Sequence, residues 1–327
     1  MNSTEAKLPS ELRLPLFAAP MFLVSGVDLV VGACRAGIVG SFPTSNCRTV
    51  DELDTWMGSI AEALEAPKQA GQRWETAPWA VNLITHSSNS RLADDLALVG
   101  EYKPPVVITA LGSPKPVMDT VKGYGGIVLA DVIDLKLARK AADVGADGLA
   151  CITSGAGGHT GSLSPFAFIA TVREFFAGPI VVGGGISSGA GIAGAIAAGA
   201  DAVYMGTRFI PARESLAVDG YKQMVVDHGM ADLVVSDGVT GTPASWLRPS
   251  LIASGYDPDD LARPAAARNY DANQSPAKRW KDTWAAGQGL ETIGKVQPVG
   301  EIVDELADQY DAAVQRFTAI TAGRPTT

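Results

Sequence analysis

Short apolar runs alternate with amphipathic stretches through the first two thirds of the chain. These runs predict eight strands, at residues 14–20, 37–42, 79–85, 105–111, 126–132, 148–153, 179–184 and 202–206. The runs are continuously apolar rather than alternating, which is typical of strands buried on both faces of a parallel sheet.

Helices are predicted between the strands, and capping residues precede three of them. The caps are Thr49, with Glu52 as its capping-box partner, Asp134, and Ser164 followed by Pro165. Eight strand–helix rounds within residues 1–210 predict an α/β fold, a (β/α)₈ TIM barrel. An open doubly wound sheet is the alternative, although no GxGxxG follows the first strand.

The strand–helix rhythm stops near residue 210. Residues 211–327 contain a helical piece at 216–228, several prolines and a C-terminal helix at about 300–318. We expect a mostly helical cap that forms a substrate region, with the last helix returning to the barrel. Large apolar residues of this region shape either a substrate pocket or a subunit contact: Trp246, Leu247, Trp280 and Trp284.

Charge and cysteine content narrow the functional classes. The 327 residues include 35 acidic and 26 basic ones, which disfavours nucleic-acid binding. The three cysteines have no CxxC spacing, so we expect buried thiols in a reducing compartment and no structural metal. Because residues 1–11 are polar and no apolar run approaches the ~20 residues of a membrane span, we expect a cytoplasmic protein without membrane association.

Glycines cluster directly after the predicted strands. Gly183, Gly184 and Gly185 follow the seventh strand, and Gly206 and Thr207 follow the eighth. The loops after these two strands are the usual phosphate site of a TIM barrel, where backbone N–H groups contact the anion. We therefore predict a phosphate site at these two turns. The neighbouring Arg208 is either an anion contact or the partner of a carboxylate.

The chain has three histidines, and one is placed for chemistry. His159 lies among glycines directly after the sixth strand, on the barrel face where active sites lie. A neutral imidazole is a natural general base near pH 7, although His159 could instead only contact a cofactor or stabilise its loop. His228 is interpreted as a helix C-cap group, and His86 as structural or facing the site. Cys151 lies inside the sixth strand, so covalent cysteine catalysis is not supported.

Six short motifs occur in a characteristic order. They are Ala18-Ala-Pro-Met21, Val81-Asn82, Ala156-Gly-Gly-His-Thr-Gly161, Gly183-Gly-Gly-Ile186, Met205-Gly-Thr-Arg-Phe209 and Trp284-Ala-Ala-Gly-Gln288. With these motifs the chain resembles the nitronate monooxygenases, formerly called 2-nitropropane dioxygenases, from about residue 15 to 295. Flavin NADH:quinone reductases and an enoyl-thioester reductase look similar.

The resemblance implies FMN between the barrel and the helical region. The implied FMN contacts are Pro20, Met21 and Asn82 at the ring, Gly157 and Gly158 on the histidine loop, and Gly183, Gly184, Gly185, Gly206 and Thr207 at the phosphate. His159 would be the catalytic base, Gln288 would line the substrate pocket, and O₂ would be the second substrate. A homodimer is also a possible assembly.

One departure from the family concerns Asp131. Some relatives have a lysine after the fifth strand, where this chain has Asp131, which is otherwise interpreted as a helix-start residue.

Three functions stay open. The first function is oxidative denitrification of nitronates and nitroalkanes. The alternatives are an FMN-dependent NAD(P)H reductase acting on a quinone or enoyl thioester, and a flavin-binding protein without turnover.

Overall fold

A closed barrel of eight parallel strands forms the centre of the protein. The computed structural model describes residues 8, 12–67, 74–261 and 281–322. The barrel strands are β1 (Leu16–Ala18), β2 (Val39–Pro43), β3 (Trp79–Ile84), β4 (Val106–Ala110), β5 (Ile127–Val132), β6 (Gly148–Ile152), β8 (Ile180–Gly183) and β9 (Ala202–Met205). Neighbours pair in chain order, and β1 also pairs with β9. This closure confirms the TIM barrel, and the open doubly wound alternative is wrong.

Helices surround the barrel and continue beyond it. They are α1 (Val27–Arg35), α2 (Val50–Glu65), α3 (Leu92–Tyr102), α4 (Lys115–Gly123), α5 (Leu135–Val144), α6 (Pro165–Arg173), α7 (Gly189–Ala197), α8 (Asp219–Asp227), α9 (Arg248–Ala253) and α10 (Val299–Thr321). None of these described helices has the length and hydrophobicity needed to cross a lipid bilayer.

The predicted helix caps differ in their chemistry. Thr49 Oγ1 accepts the N–H of Glu52 at 3.1 Å, as predicted, but the Glu52 carboxylate accepts the N–H of Arg48 at 2.7 Å instead of the N–H of Thr49. Asp134 accepts the N–H of Leu137 at 2.7 Å and caps α5. Ser164 makes no side-chain cap bond, so only the first-turn proline of that prediction holds.

The barrel interior is apolar in its centre and becomes polar toward the carboxyl ends of the strands. Its central cluster contains Phe17, Val39, Ala80, Val106, Ile108, Leu129, Ala150, Val181, Ala202 and Tyr204. Burying each large side chain of this kind stabilises the fold by about 1.5–3 kcal/mol. Because inward positions recur every second residue, Asn82 and Asp131 face inward one layer above Ala80 and Leu129. The polar layer therefore lies at the end of the barrel where TIM-barrel sites lie.

A second, smaller sheet joins the histidine loop to the region after residue 210. β7 (Gly158–His159), β11 (Ala244–Leu247) and β10 (Leu233–Ser236) form three antiparallel strands in the order β10–β11–β7. The predicted helix at 216–228 begins only at Asp219, because Val218 is extended. The long helix α10 packs on α7 so closely that a Cβ on Gly189 would overlap the Leu306 carbonyl oxygen.

Candidate functional site

The two predicted phosphate turns lie side by side. β8 and β9 are neighbours, with Gly183 opposite Tyr204, so the turns that follow them leave the barrel together. Gly184 has φ +141° and Gly185 has φ +67°, conformations that residues with a Cβ rarely adopt. A Cβ on Gly184 would also overlap Thr153 Oγ1 and lie 2.8 Å from the Ser154 carbonyl oxygen. Glycine is therefore required here by the backbone itself.

A distant segment, residues 286–288, bonds to the turn after β9 and to the loop after β6, and that loop in turn bonds to the turn after β8. The N–H of Gly287 donates to Thr207 Oγ1 at 2.9 Å. The N–H groups of Gln288 and Gly185 both donate to the Gly155 carbonyl, at 2.9 and 3.0 Å. The Gly185 amide is thus engaged within the protein. Gln288 is exposed at the rim, with its side chain against Gly155.

The loop after β1 is held beside the turn after β9. The Met21 carbonyl accepts a bond from Asn46 Nδ2 at 3.1 Å, and Asn46 Oδ1 accepts the N–H of Leu23 at 2.8 Å. The N–H of Met21 donates to Ser25 Oγ at 3.0 Å. The Met21 sulfur lies 3.4 Å from the position of a Cβ on Gly206. Met21 therefore contacts the turn after β9, and its loop is positioned by Asn46, a residue that no sequence pattern singled out.

His159 lies in a short strand rather than in a free loop. It pairs with Ala244 of β11, and Gly158 pairs with Ser245. Its loop closes on Thr153, whose carbonyl accepts Thr160 Oγ1 at 3.1 Å and the Gly161 N–H at 3.3 Å.

Gly157 joins the histidine loop to the segment at 286–288. A Cβ on Gly157 would lie 2.6 Å from the Gly287 nitrogen. The histidine loop and the two predicted phosphate turns thus contact the same segment, residues 286–288.

The other basic candidates have structural partners. His228 ends α8, and its Nδ1 donates to the Met224 carbonyl at 3.0 Å, which confirms the C-cap prediction. His86 Nδ1 lies 2.8 Å from Ser88 Oγ within one turn. Arg208 bonds Glu305 of α10 at 2.6 Å, so the carboxylate alternative is the correct one.

A buried polar group lies in the barrel below these loops. Asn82 Nδ2 lies 3.5 Å from Asp131 Oδ2, whereas Asp131 Oδ1 is buried and bonds to no described residue. Burial raises the pKa of Asp131 to about 7. The Tyr204 hydroxyl is likewise buried without a described partner. The helix-start interpretation of Asp131 is wrong, because Asp134 caps α5.

Several remaining candidates belong to the core. Cys151 is fully buried, and burial raises its thiol pKa to about 12, which leaves it an unreactive thiol. Trp246 and Leu247 are also fully buried and pack inside the fold. Trp284 stacks on Tyr221, with ring centroids 5.2 Å apart. Trp280 lies outside the described residues.

Known proteins match this chain along most of its length. The family model for nitronate monooxygenase matches residues 6–309. The nitronate monooxygenase of Paraburkholderia phytofirmans is 26% identical and covers 93% of this chain and 94% of its own length. The (3aS,4S,5R,7aS)-5-hydroxy-7a-methyl-1-oxo-octahydro-1H-indene-4-carboxyl-CoA dehydrogenase of Rhodococcus jostii is 30% identical over 78% of this chain and 69% of its own length.

Solved structures agree with the fold and the family. A nitroalkane oxidase from Streptomyces ansochromogenes superposes with a TM-score of 0.76 at 25% identity, covering 93% of this chain and 97% of its own. FabK from Thermotoga maritima gives 0.75 at 25% identity, with 94% and 96% covered. The protein is a flavin-dependent oxidoreductase, and its chain belongs to the nitronate monooxygenase family.

Proposed function

We propose that the protein uses FMN and O₂ to convert alkyl nitronates and nitroalkanes into carbonyl compounds and nitrite, with His159 as the general base. One observation carries this proposal: the histidine loop and the turn after β9 meet on one segment. Gly157, two residues before His159, packs against Gly287, and Gly287 bonds Thr207. These two contacts fix the position of the loop that carries the proposed base relative to the proposed phosphate turn.

FMN fits the residues at this end of the barrel. Gly184 and Gly206 lie in the two adjacent turns after β8 and β9, where a TIM barrel usually binds a phosphate through backbone N–H groups. The Gly185 amide is engaged, so we assign phosphate contacts chiefly to Gly184, Gly206 and Thr207. Asn82 and the unpartnered oxygen of Asp131 suit the polar edge of a flavin ring. Bound there, FMN would supply electron transfer between the organic substrate and O₂.

The proposed role of His159 is to remove the α-proton of a neutral nitroalkane. The resulting negative charge spreads onto the nitro oxygens, so the C–H group is acidic enough for a neutral imidazole. A preformed nitronate has already lost this proton and needs no base. Exposed Gln288 at the rim would contact the substrate as it enters.

The dependence on a base gives a direct test. In His159→Asn, we expect kcat/KM on neutral 2-nitropropane to fall by about 10² or more, the usual contribution of a general base. Turnover of propyl-2-nitronate should stay within a few-fold of the native rate. His228→Asn is the matched control, because His228 ends α8 and bonds Met224. Full activity of His159→Asn on the neutral substrate would remove the base assignment.

A second candidate is an FMN-dependent NAD(P)H reductase acting on a quinone or an enoyl thioester. It is favoured by the Rhodococcus jostii relative, named as a dehydrogenase of a CoA thioester, and by the likeness to FabK. Anaerobic mixing with NADH separates the two candidates. Rapid loss of the visible flavin absorbance would favour the reductase. No reaction with NADH, together with O₂ uptake on propyl-2-nitronate, would favour the monooxygenase.

A further inference from the structure

The carboxyl of Asp131, whose Oδ1 is buried, takes no part in the proposed substrate chemistry. It faces inward near the carboxyl end of β5, where it shares the barrel interior with Asn82 of β3 and Tyr204 of β9. Among these three side chains, two oxygens are buried and bond to no described residue: Asp131 Oδ1 and the Tyr204 hydroxyl. A buried polar atom left without a hydrogen bond costs about 1–3 kcal/mol, so two such atoms in the barrel interior point to a partner other than the described residues, such as a ligand.

We propose that the Asp131 carboxylate takes up one proton from solvent when the bound flavin gains an electron pair. This inference rests on the proposed cofactor. On gaining two electrons and one proton, the bound flavin would carry one additional negative charge. A second proton forms an O–H bond on the Asp131 carboxylate, so that two negative charges do not stand side by side in the barrel. The electrons come from the nitronate in turnover, or from dithionite in the test.

The surroundings of Asp131 suit this role. Burial raises its pKa to about 7, so both of its protonation states are accessible near neutral pH. The Tyr204 phenol of β9 and the Cys151 thiol of β6 interact electrostatically with it. Burial raises the pKa of both, to well above the ordinary value for Tyr204 and to about 12 for Cys151. Both therefore stay neutral, and Asn82 Nδ2 is the one described hydrogen-bond donor to the carboxylate.

The midpoint potential of the FMN-loaded protein tests the proposal without any measurement of turnover. It is measured by equilibration with a reference dye from about pH 6 to about pH 9, which brackets the pKa of about 7. For a two-electron couple, each additional proton steepens the slope by about 30 mV per pH unit. We expect the native protein to show this additional slope over part of the range and Asp131→Asn to lack it. Asp134→Asn is the matched control, because it makes the same charge change at the cap of α5.

The outcomes distinguish a failure of the Asp131 proposal from a failure of the proposed function. If FMN binds and the native and Asp131→Asn slopes coincide, the role of Asp131 is overturned and the proposed function is untouched. If Asp131→Asn does not fold, the native protein decides alone, since a one-proton slope across the whole range overturns the proposal. If the native protein binds no FMN at all, this inference falls together with the proposed cofactor. A loss of the additional slope in Asp134→Asn as well would also count against Asp131.

Discussion

Gly184 offers the sharpest test of the cofactor site, because its replacement by alanine changes one methyl group at the proposed phosphate turn. The residue has φ +141°, which is strained for any residue with a Cβ. The added Cβ would lie 2.8 Å from the Ser154 carbonyl oxygen and would overlap the Thr153 hydroxyl. The Thr153 hydroxyl is held in place, since Thr153 Oγ1 donates to the Gly183 carbonyl at 2.9 Å.

The magnitude follows from these contacts. A residue held in such a backbone conformation costs about 1–3 kcal/mol. Displacing the Thr153 hydroxyl loses a hydrogen bond worth about 1 kcal/mol. We therefore expect Gly184→Ala to lower the free energy of unfolding of the FMN-free protein by about 2–4 kcal/mol. This leaves a folded protein if the native stability is in the usual range of about 5–15 kcal/mol. A turn displaced to relieve the overlap should also weaken FMN binding at least tenfold, about 1.4 kcal/mol.

Two separate measurements test this prediction. Urea unfolding of the FMN-free protein gives its free energy of unfolding, and fluorescence titration of the folded protein with FMN gives the FMN affinity. Gly194→Ala is the matched control, because Gly194 lies inside α7 and a Cβ there would meet no atom within 4 Å. That variant should gain up to about 1 kcal/mol in stability from helix propensity and bind FMN as the native protein does. The reasoning is refuted if Gly184→Ala matches the native protein in both stability and FMN affinity.

Two further predictions concern buried groups. Cys34, Cys47 and Cys151 are buried, with thiol pKa values of about 12, so a disulfide reagent at pH 8 should label none of them in the native protein within minutes and all three after denaturation. Prompt labelling of the native protein would show that one of them is reachable. The Asp131 pKa of about 7 exceeds its ordinary 3.8, so the folded state binds more protons between these values and stability falls as pH rises through that window. Urea unfolding of FMN-free Asp131→Asn should show a flatter pH dependence than the native protein, and parallel curves would contradict the raised pKa.

Local sequence patterns were sufficient to predict the barrel, whereas the small sheet depends on tertiary pairing. The eight barrel strands are continuous apolar runs, and this pattern needs no partner to be recognised. β10 and β11 have four residues each, and β7 consists of Gly158 and His159, which have little preference for strands. β10 and β11 form a hairpin across residues 237–243, but β7 joins it from 85 positions earlier in the chain, with His159 opposite Ala244. No local pattern carries that information.

The candidate site likewise has features that local sequence predicts and features that depend on tertiary contacts. The two glycine turns could be predicted because they follow neighbouring strands of a known architecture. The hydrogen bond from the Gly185 N–H could not be predicted, because its acceptor, the Gly155 carbonyl, belongs to a different loop. Similarly, Asn46 positions Met21 from the end of the next strand, and an isolated asparagine in a sequence gives no sign of this.

The high glycine content therefore has a second cause besides ligand approach. At the barrel mouth, backbone packs directly on backbone: a Cβ on Gly157 would lie 2.6 Å from the Gly287 nitrogen, and one on Gly287 would lie 2.5 Å from the Gly155 carbonyl oxygen. Such contacts leave no flexible side chain to absorb a displacement. The Gly155 carbonyl accepts N–H bonds from both Gln288 and Gly185, so a displacement of the backbone at Gln288 reaches the turn after β8. If Gln288 contacts the substrate and this turn binds the cofactor, as proposed, we expect the binding of each to change the affinity for the other by the same factor.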